Sequence, residues 1–277
     1  MLSGSELVAL ADDDPRRAIS EAGAAILADA LEPIETYRAL GLAHRVMAEP
    51  DTSRRWLQRG IREAQRRREQ AELAELWVTY SATVAMLGDF DEALEILEEA
   101  ERTGSALGRR HARVQRAGML ARRGRLSEAL QIYGETESEL RSLGDDAWLA
   151  RLLNNRGLLF LNTGDLVRAE ADLRAGFVVC ERLDSAMSGA ELHHNLGIVL
   201  THRGDLIEAL DHYAEATDTF DSLGIPSSDL ALDRSDTLRF AGLAGDAVAI
   251  AAEAIEDLAR RRMVEETAEG LMRYARS

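Results

Sequence analysis

Residues 195–210 read NLGIVLTHRGDLIEAL, and residues 155–170 read NRGLLFLNTGDLVRAE. The two stretches lie forty residues apart and place Asn, Gly, a Gly-Asp-Leu turn and Ala at matching positions. A catalytic site is written once, because its chemistry needs one set of groups. A structural unit that cannot bury its apolar face alone must be repeated and stacked. The duplication points to a scaffold of repeated helix pairs.

Working outward, the turn glycine recurs as Gly88, Gly124, Gly164, Gly204 and Gly242, at spacings of 36, 40, 40 and 38 residues. After each comes an amphipathic stretch with alanine on its fifth position: Ala93, Ala129, Ala169, Ala209 and Ala247. These small residues let two helices approach closely. Twenty residues after the first four turns stand Gly108, Gly144, Asp184 and Gly224, each preceded by leucine, which predicts the C-terminal cap of a second helix of constant length. The first helix of each unit is then expected to absorb the variation in period. Leu192, Leu196, Val199 and Leu200 fall at helical spacing on one face of such a first helix.

Upstream, Asp14 with Pro15 and the PDTS run from Pro50 read as two further helix starts. The predicted organisation is a single repeat array over 1–277. Residues 1–70 hold two divergent repeats, 71–262 five clear ones, and 263–277 a capping helix or a truncated eighth unit.

Composition narrows the function classes. All 33 basic residues are arginine, so Schiff-base and P-loop chemistry built on lysine are excluded. Forty-nine acidic residues leave a formal net charge of −16, which opposes nonspecific attraction to nucleic acid or an anionic bilayer. No apolar run reaches the roughly 20 residues of a membrane span, and MLSGSELVALADDD lacks the regions of a signal peptide. These features predict a cytoplasmic protein with no membrane or nucleic-acid partner. Aromatic residues are only 5% of the chain, which disfavours sheets.

A helix pair with glycine at its tight turn, alanine on the second helix and Asn or Gly on the first resembles the tetratricopeptide repeat. Trp77, Asn155, Gly157, Asn195, Gly197, the Gly-Asp turns and the alanines of the second helices are the matching positions. The nominal period of that repeat is about 34 residues, so units of 36 to 40 imply longer helices. The resemblance implies an all-α fold, a right-handed superhelical solenoid of about seven helix pairs with a continuous concave face. More narrowly, LLNNRGLLFLNTGDLVRAEADL (152–173), HHNLGIVLTHRGDLIEALDHY (193–213) and SLGIPSSDLALDRSDTL (222–238), in an arginine-only background, are similar to the N-terminal repeat region of actinobacterial CHAT-domain proteins. Those proteins join such repeats to a caspase-like domain with a His/Cys pair, and no part of this chain matches that domain.

Each residue that could carry chemistry also has a structural reading. Adjacent His193 and His194 diverge by about 100° on a helix, and His194 and His202 are about 12 Å apart along the axis, so no metal site is expected. Cys180 reads as a buried apolar filler and Trp77 and Trp148 as core. Asp12, Asp13 and Asp14 read as helix capping, not a calcium loop. Two arginine runs, Arg54 to Arg68 and Arg109 to Arg125, admit either a phosphate-binding patch or an ion-paired face, and interleaved Glu63 and Glu69 favour the latter.

Thr79, Gln115, Asn155, Asn195 and Asp233 occupy equivalent first-helix positions, always polar. They serve either to bond a neighbouring helix or to contact a ligand. Under the second reading a peptide-binding groove comprises Gln115, Arg122, Arg151, Asn154, Asn155, Glu191, His194, Asn195, His202 and Asp233. Arg151, Asn154 and Asn155 would open into the same groove as Glu191, His194 and Asn195. The expected function is a non-catalytic scaffold with no cofactor. Its expected partner is a protein or peptide segment, including a caspase-like domain in the same polypeptide; the alternative is the ligand-sensing domain of a bacterial transcriptional or signalling regulator.

Overall fold

The computed structural model describes residues 2–27, 33–183, 185–260 and 264–275. Fifteen helices and no strand occur among them. They are α1 (Gly4–Asp13), α2 (Pro15–Leu27), α3 (Pro33–Val46), α4 (Pro50–Arg67), α5 (Gln70–Met86), α6 (Phe90–Thr103), α7 (Ala106–Arg122) and α8 (Leu126–Leu143). Then follow α9 (Asp146–Asn162), α10 (Leu166–Leu183), α11 (Ala186–Arg203), α12 (Leu206–Leu223), α13 (Ser228–Phe240), α14 (Ala244–Arg260) and α15 (Val264–Tyr274). Odd and even helices pair in seven hairpins, with α15 after the last. The chain divides into two compact units, residues 1–156 and 157–277.

Each hairpin turns where the backbone enters the left-handed region. Gly88, Gly124, Gly164, Gly204 and Gly242 all have φ between 78° and 94°, a conformation that costs any residue with a Cβ about 1–2 kcal/mol. The α3–α4 hairpin uses Ala48 (φ 55°) at its turn and Arg68 (φ 62°) at its cap. It is a repeat written without its glycines.

On three first helices a glycine receives a large side chain from the second helix sixteen positions later. A Cβ on Gly41 would stand 2.4 Å from Leu57, one on Gly157 2.9 Å from Leu173, and one on Gly197 2.8 Å from the Tyr213 ring. Second helices meet the next first helix in the same way, Gly60 against Leu76 and Gly176 against Leu192. In the first unit the first helices α1, α3, α5 and α7 contact one another in succession; in the second, α11, α13 and α15 do.

The predicted caps hold at Gly144 and Gly224, which are left-handed. Gly108 is not a cap. The α6 helix ends early at Gly104, and Gly108 lies in the first turn of α7, where its N–H donates to the Ser105 hydroxyl at 3.1 Å. A Cβ there would stand 2.6 Å from that of Ala74, so close packing explains this glycine. Part of the variation in period therefore falls on the second helix α6, 14 residues against 18 in α8, α10 and α12. Asp184 lies outside the described residues. Asp14 accepts from the Arg17 N–H at 3.0 Å as a helix cap should. The PDTS run is inside α4, not ahead of it; Ser53 is fully buried, donating to the Gly41 carbonyl at 2.7 Å and lying 2.9 Å from the Thr83 hydroxyl.

Candidate functional site

The first helices carry polar groups that meet across repeats. In the first unit, His111 on α7 donates from Nδ1 to Glu75 on α5 at 2.6 Å and from Nε2 to Asp145, just before α9, at 2.9 Å. Arg38 on α3 donates to the other Glu75 oxygen at 2.8 Å. The chain of contacts alternates in sign, Arg38, Glu75, His111, Asp145, with one step per repeat.

Carboxylates only accept, so both His111 ring nitrogens must carry protons and the ring is an imidazolium. The side chains of His111, Glu75 and Asp145 are only 7%, 13% and 16% exposed. Burial alone would push the His111 pKa down, but its bonds to Asp145 and Glu75 outweigh this and the net direction is up. Burial would likewise raise Glu75 and Asp145, and the bonds from His111, with Arg38 beside Glu75, hold both below the usual carboxylate range.

His111 also stacks on Trp148, with ring centroids 4.3 Å apart and planes at 12°, and the Arg151 guanidinium sits 4.9 Å from the Trp148 ring centroid. Trp148 thus packs on the core and is also the platform of a charged stack. Half-buried Arg151 is its outermost member.

In the second unit, His194 on α11 bonds Asp233 on α13 at 2.8 Å, and Arg273 on α15 donates to Asp233 at 2.6 Å. Burial would raise the Asp233 pKa; the bonds from His194 and Arg273 reverse this and hold it low. Arg273 also stands 3.7 Å from Asp236. The terminal helix therefore continues the alternation where a further first helix would stand.

The sequence-derived groove set divides. His194 and Asp233 come together as a pair. Asn195 is 9% exposed and Thr79 8%, so neither stands on an open surface. Asn155 lies beside the Tyr133 hydroxyl and under Gly118. Arg122 is exposed and lies over the Phe90 ring at 4.9 Å. Gln115, Arg151 and Asn154 are half-buried, and Glu191 and His202 are exposed.

Adjacent His193 and His194 diverge as expected: His193 meets His212 at 2.8 Å beside the edge of Phe177, away from Asp233. Burial lowers the pKa of both His193 and His212. Cys180 is buried, and burial with Glu191 nearby pushes its thiol up to about 11, so it is a poor nucleophile. Among the described residues no group of three or more His, Cys, Asp or Glu side chains is placed to hold a metal ion, and no described helix is long and apolar enough to cross a membrane. Sequence reading missed His111. Its signal was available, since Glu75, His111, Arg151, Glu191 and Asp229 all lie thirteen residues before their turn glycines.

Residues 194–219 match the tetratricopeptide-repeat family model. This is the tetratricopeptide-repeat fold. The chain is similar to a Rap protein solved in complex with competence and sporulation factor, with a TM-score of 0.64, 14% identity, and coverage of 88% of this chain and 74% of that one. It is similar to the Cut9–Hcn1 hetero-tetramer of APC/C (0.67, 12%, 96% and 50%) and to PlcR of Bacillus thuringiensis, solved with the peptide PapR7 and DNA (0.59, 14%, 69% and 70%). At these identities the likeness shows the fold alone. No curated protein matches the chain by sequence.

Proposed function

We propose that this tetratricopeptide-repeat chain is a non-catalytic scaffold that binds an extended peptide or protein segment along its first helices, as the sensing part of a bacterial regulatory system. The observation that carries this reading is the His111, Trp148 and Arg151 stack. Its inner charge is locked between two carboxylates and its outer guanidinium reaches solvent. A guanidinium held on an aromatic face is preorganised, and its fork suits a peptide carboxylate or backbone carbonyl. Half-buried Asn154 adds an amide on α9 beside Arg151, and Glu191 and His202 are exposed polar groups on the first helix α11. The Rap and PlcR structures supply precedent, because each was solved with a peptide or signalling factor bound.

The narrower resemblance to the repeat region of CHAT-domain proteins supports a second setting, in which the bound segment belongs to a caspase-like domain of the same polypeptide in the cytoplasm. Both settings use the same binding face.

Selection against a random peptide display library tests the reading. The protein is expected to enrich a family of related sequences. Arg151→Glu should lower affinity for the enriched peptide by at least about tenfold, the equivalent of one lost charge-assisted contact. Absence of enrichment, or peptides bound equally by Arg151→Glu, would remove the proposal.

A further inference from the structure

The two arginine runs have different fates. In the second, Arg113 pairs with Glu135 and Glu139, Arg116 with Glu101, Arg123 with Asp91, and Arg125 with Glu128, while Arg109 donates to the Gly104 carbonyl and Arg122 lies over the Phe90 ring. In the first, Glu63 takes Arg66 and Arg67; among the described residues Arg54 and Arg62 have no polar partner, Arg55 reaches only the Thr52 hydroxyl, and Arg59 lies over the Trp56 ring. These residues are exposed. Buried Ser53, Leu57, Gly60 and Ala64 define the inner face of α4. Arg55, Arg59, Arg62 and Arg66 repeat that spacing two residues on, which turns them to the opposite side.

The α12 helix is its electrostatic complement. Ala209, Tyr213, Ala216 and Phe220 are buried. Asp211, Glu215 and Asp218, again two residues on, are exposed and have no hydrogen-bond or ion-pair partner among the described residues, and Glu208 one turn earlier pairs with the exposed Arg174. Arg55, Arg59 and Arg62 thus give one helix a cationic stripe with no carboxylate on it among the described residues, and Asp211, Glu215 and Asp218 give another an anionic stripe with no cation on it, each at i, i+4 and i+7. At about 1.5 Å per residue both run for roughly 10 Å.

We infer that the α4 face of one molecule docks on the α12 face of a second copy of this chain, in a head-to-tail electrostatic contact. The net charge of −16 opposes association of two copies at long range. Screening at physiological ionic strength, with a Debye length of about 8 Å, removes most of that repulsion and leaves the directly facing stripes to interact. The contact is heterologous, so it propagates into a ring or a linear assembly and does not stop at a symmetric dimer. Exposed ion pairs are individually weak, which makes the assembly reversible and salt-sensitive. The same charge balance weighs against a polynucleotide on the α4 stripe, since such a ligand would approach a strongly acidic molecule.

Sedimentation velocity on the full chain near 0.1 M salt, where the Debye length is about 10 Å, tests this with two charge-reversed variants. Arg59→Glu with Arg62→Glu alters α4; Glu215→Arg with Asp218→Arg alters α12. All four positions are exposed, so circular dichroism and melting are expected to match the unaltered protein. The unaltered protein should show concentration-dependent association that is lost near 1 M salt, where screening shortens to about 3 Å. Each variant alone should be monomeric, and an equimolar mixture should associate again, because each reversed stripe then faces an opposite one. A monomeric unaltered protein, association that survives either reversal, or a mixture that stays apart would overturn the inference. So would a monomeric protein that binds duplex DNA through α4, which would assign the stripe to a polyanion.

Discussion

His111 shows how one side chain is fixed by three helices and what that does to stability. Its folded pKa lies above the value in the unfolded chain, so its contribution is complete below the ordinary histidine value of about 6.5 and is lost as pH rises through the folded value. Glu75 and Asp145 have depressed folded values, so their contribution is present above the ordinary carboxylate range and disappears as pH falls. The network is strongest between these limits. Replacing His111 by Gln leaves two carboxylates short of a cation and should cost about 2–3 kcal/mol near pH 6, somewhat less than a fully buried pair because both carboxylates keep some solvent. Urea titrations should show the gap between His111→Gln and the unaltered protein shrinking as pH becomes alkaline. A gap independent of pH would mean that the ring acts through shape alone.

At the scale of the helix pair, the turn and the close approach set the demands on sequence. Arg68 sits at φ 62° in the α4 cap, where α8 and α12 place Gly144 and Gly224. Arg68→Gly should raise stability by about 0.5–1 kcal/mol, the relief of left-handed strain less the extra freedom gained by the unfolded chain. Gly157→Ala tests the other demand. The backbone is helical there, but the new Cβ would meet Leu173 at 2.9 Å and the Ala169 carbonyl at 3.3 Å, an overpacking worth about 1–3 kcal/mol. Thermal unfolding of the two variants should therefore shift in opposite directions. A gain from Gly157→Ala would show that α9 and α10 can separate without loss.

Across the molecule, each helix pair is held by its neighbours, so damage should remain local. Tyr213 is buried and fills the space over Gly197, and Tyr213→Ala should cost about 3–5 kcal/mol by leaving a cavity between α11 and α12. Hydrogen exchange should then accelerate in α11, α12 and α13 while α3, α4 and α5, in the other compact unit, keep their protection. Uniform acceleration along the chain would indicate a single cooperative fold instead of a stacked one.

The sequence by itself determined the hairpins. Glycine at a left-handed turn and a small residue at a helix crossing are demands of the local backbone, and Gly88, Gly124, Gly164, Gly204 and Gly242 state them openly. Where the chain meets the same demand with Ala48 and Arg68, the repeat was legible only as a divergent unit, because strain tolerated in the fold leaves no mark in composition. Gly108 deceived for the complementary reason: glycine serves a cap and a close approach equally well, and only the position of Ala74 separates them. Tertiary structure alone decided the partners. Asp145 on His111, Arg273 on Asp233, and Glu139 on Arg113 depend on how residues 26 to 40 positions apart are set against each other. Charge alone does not carry that register. It is fixed by the packing of apolar side chains such as Leu57 and Leu76 into the gaps over Gly41 and Gly60.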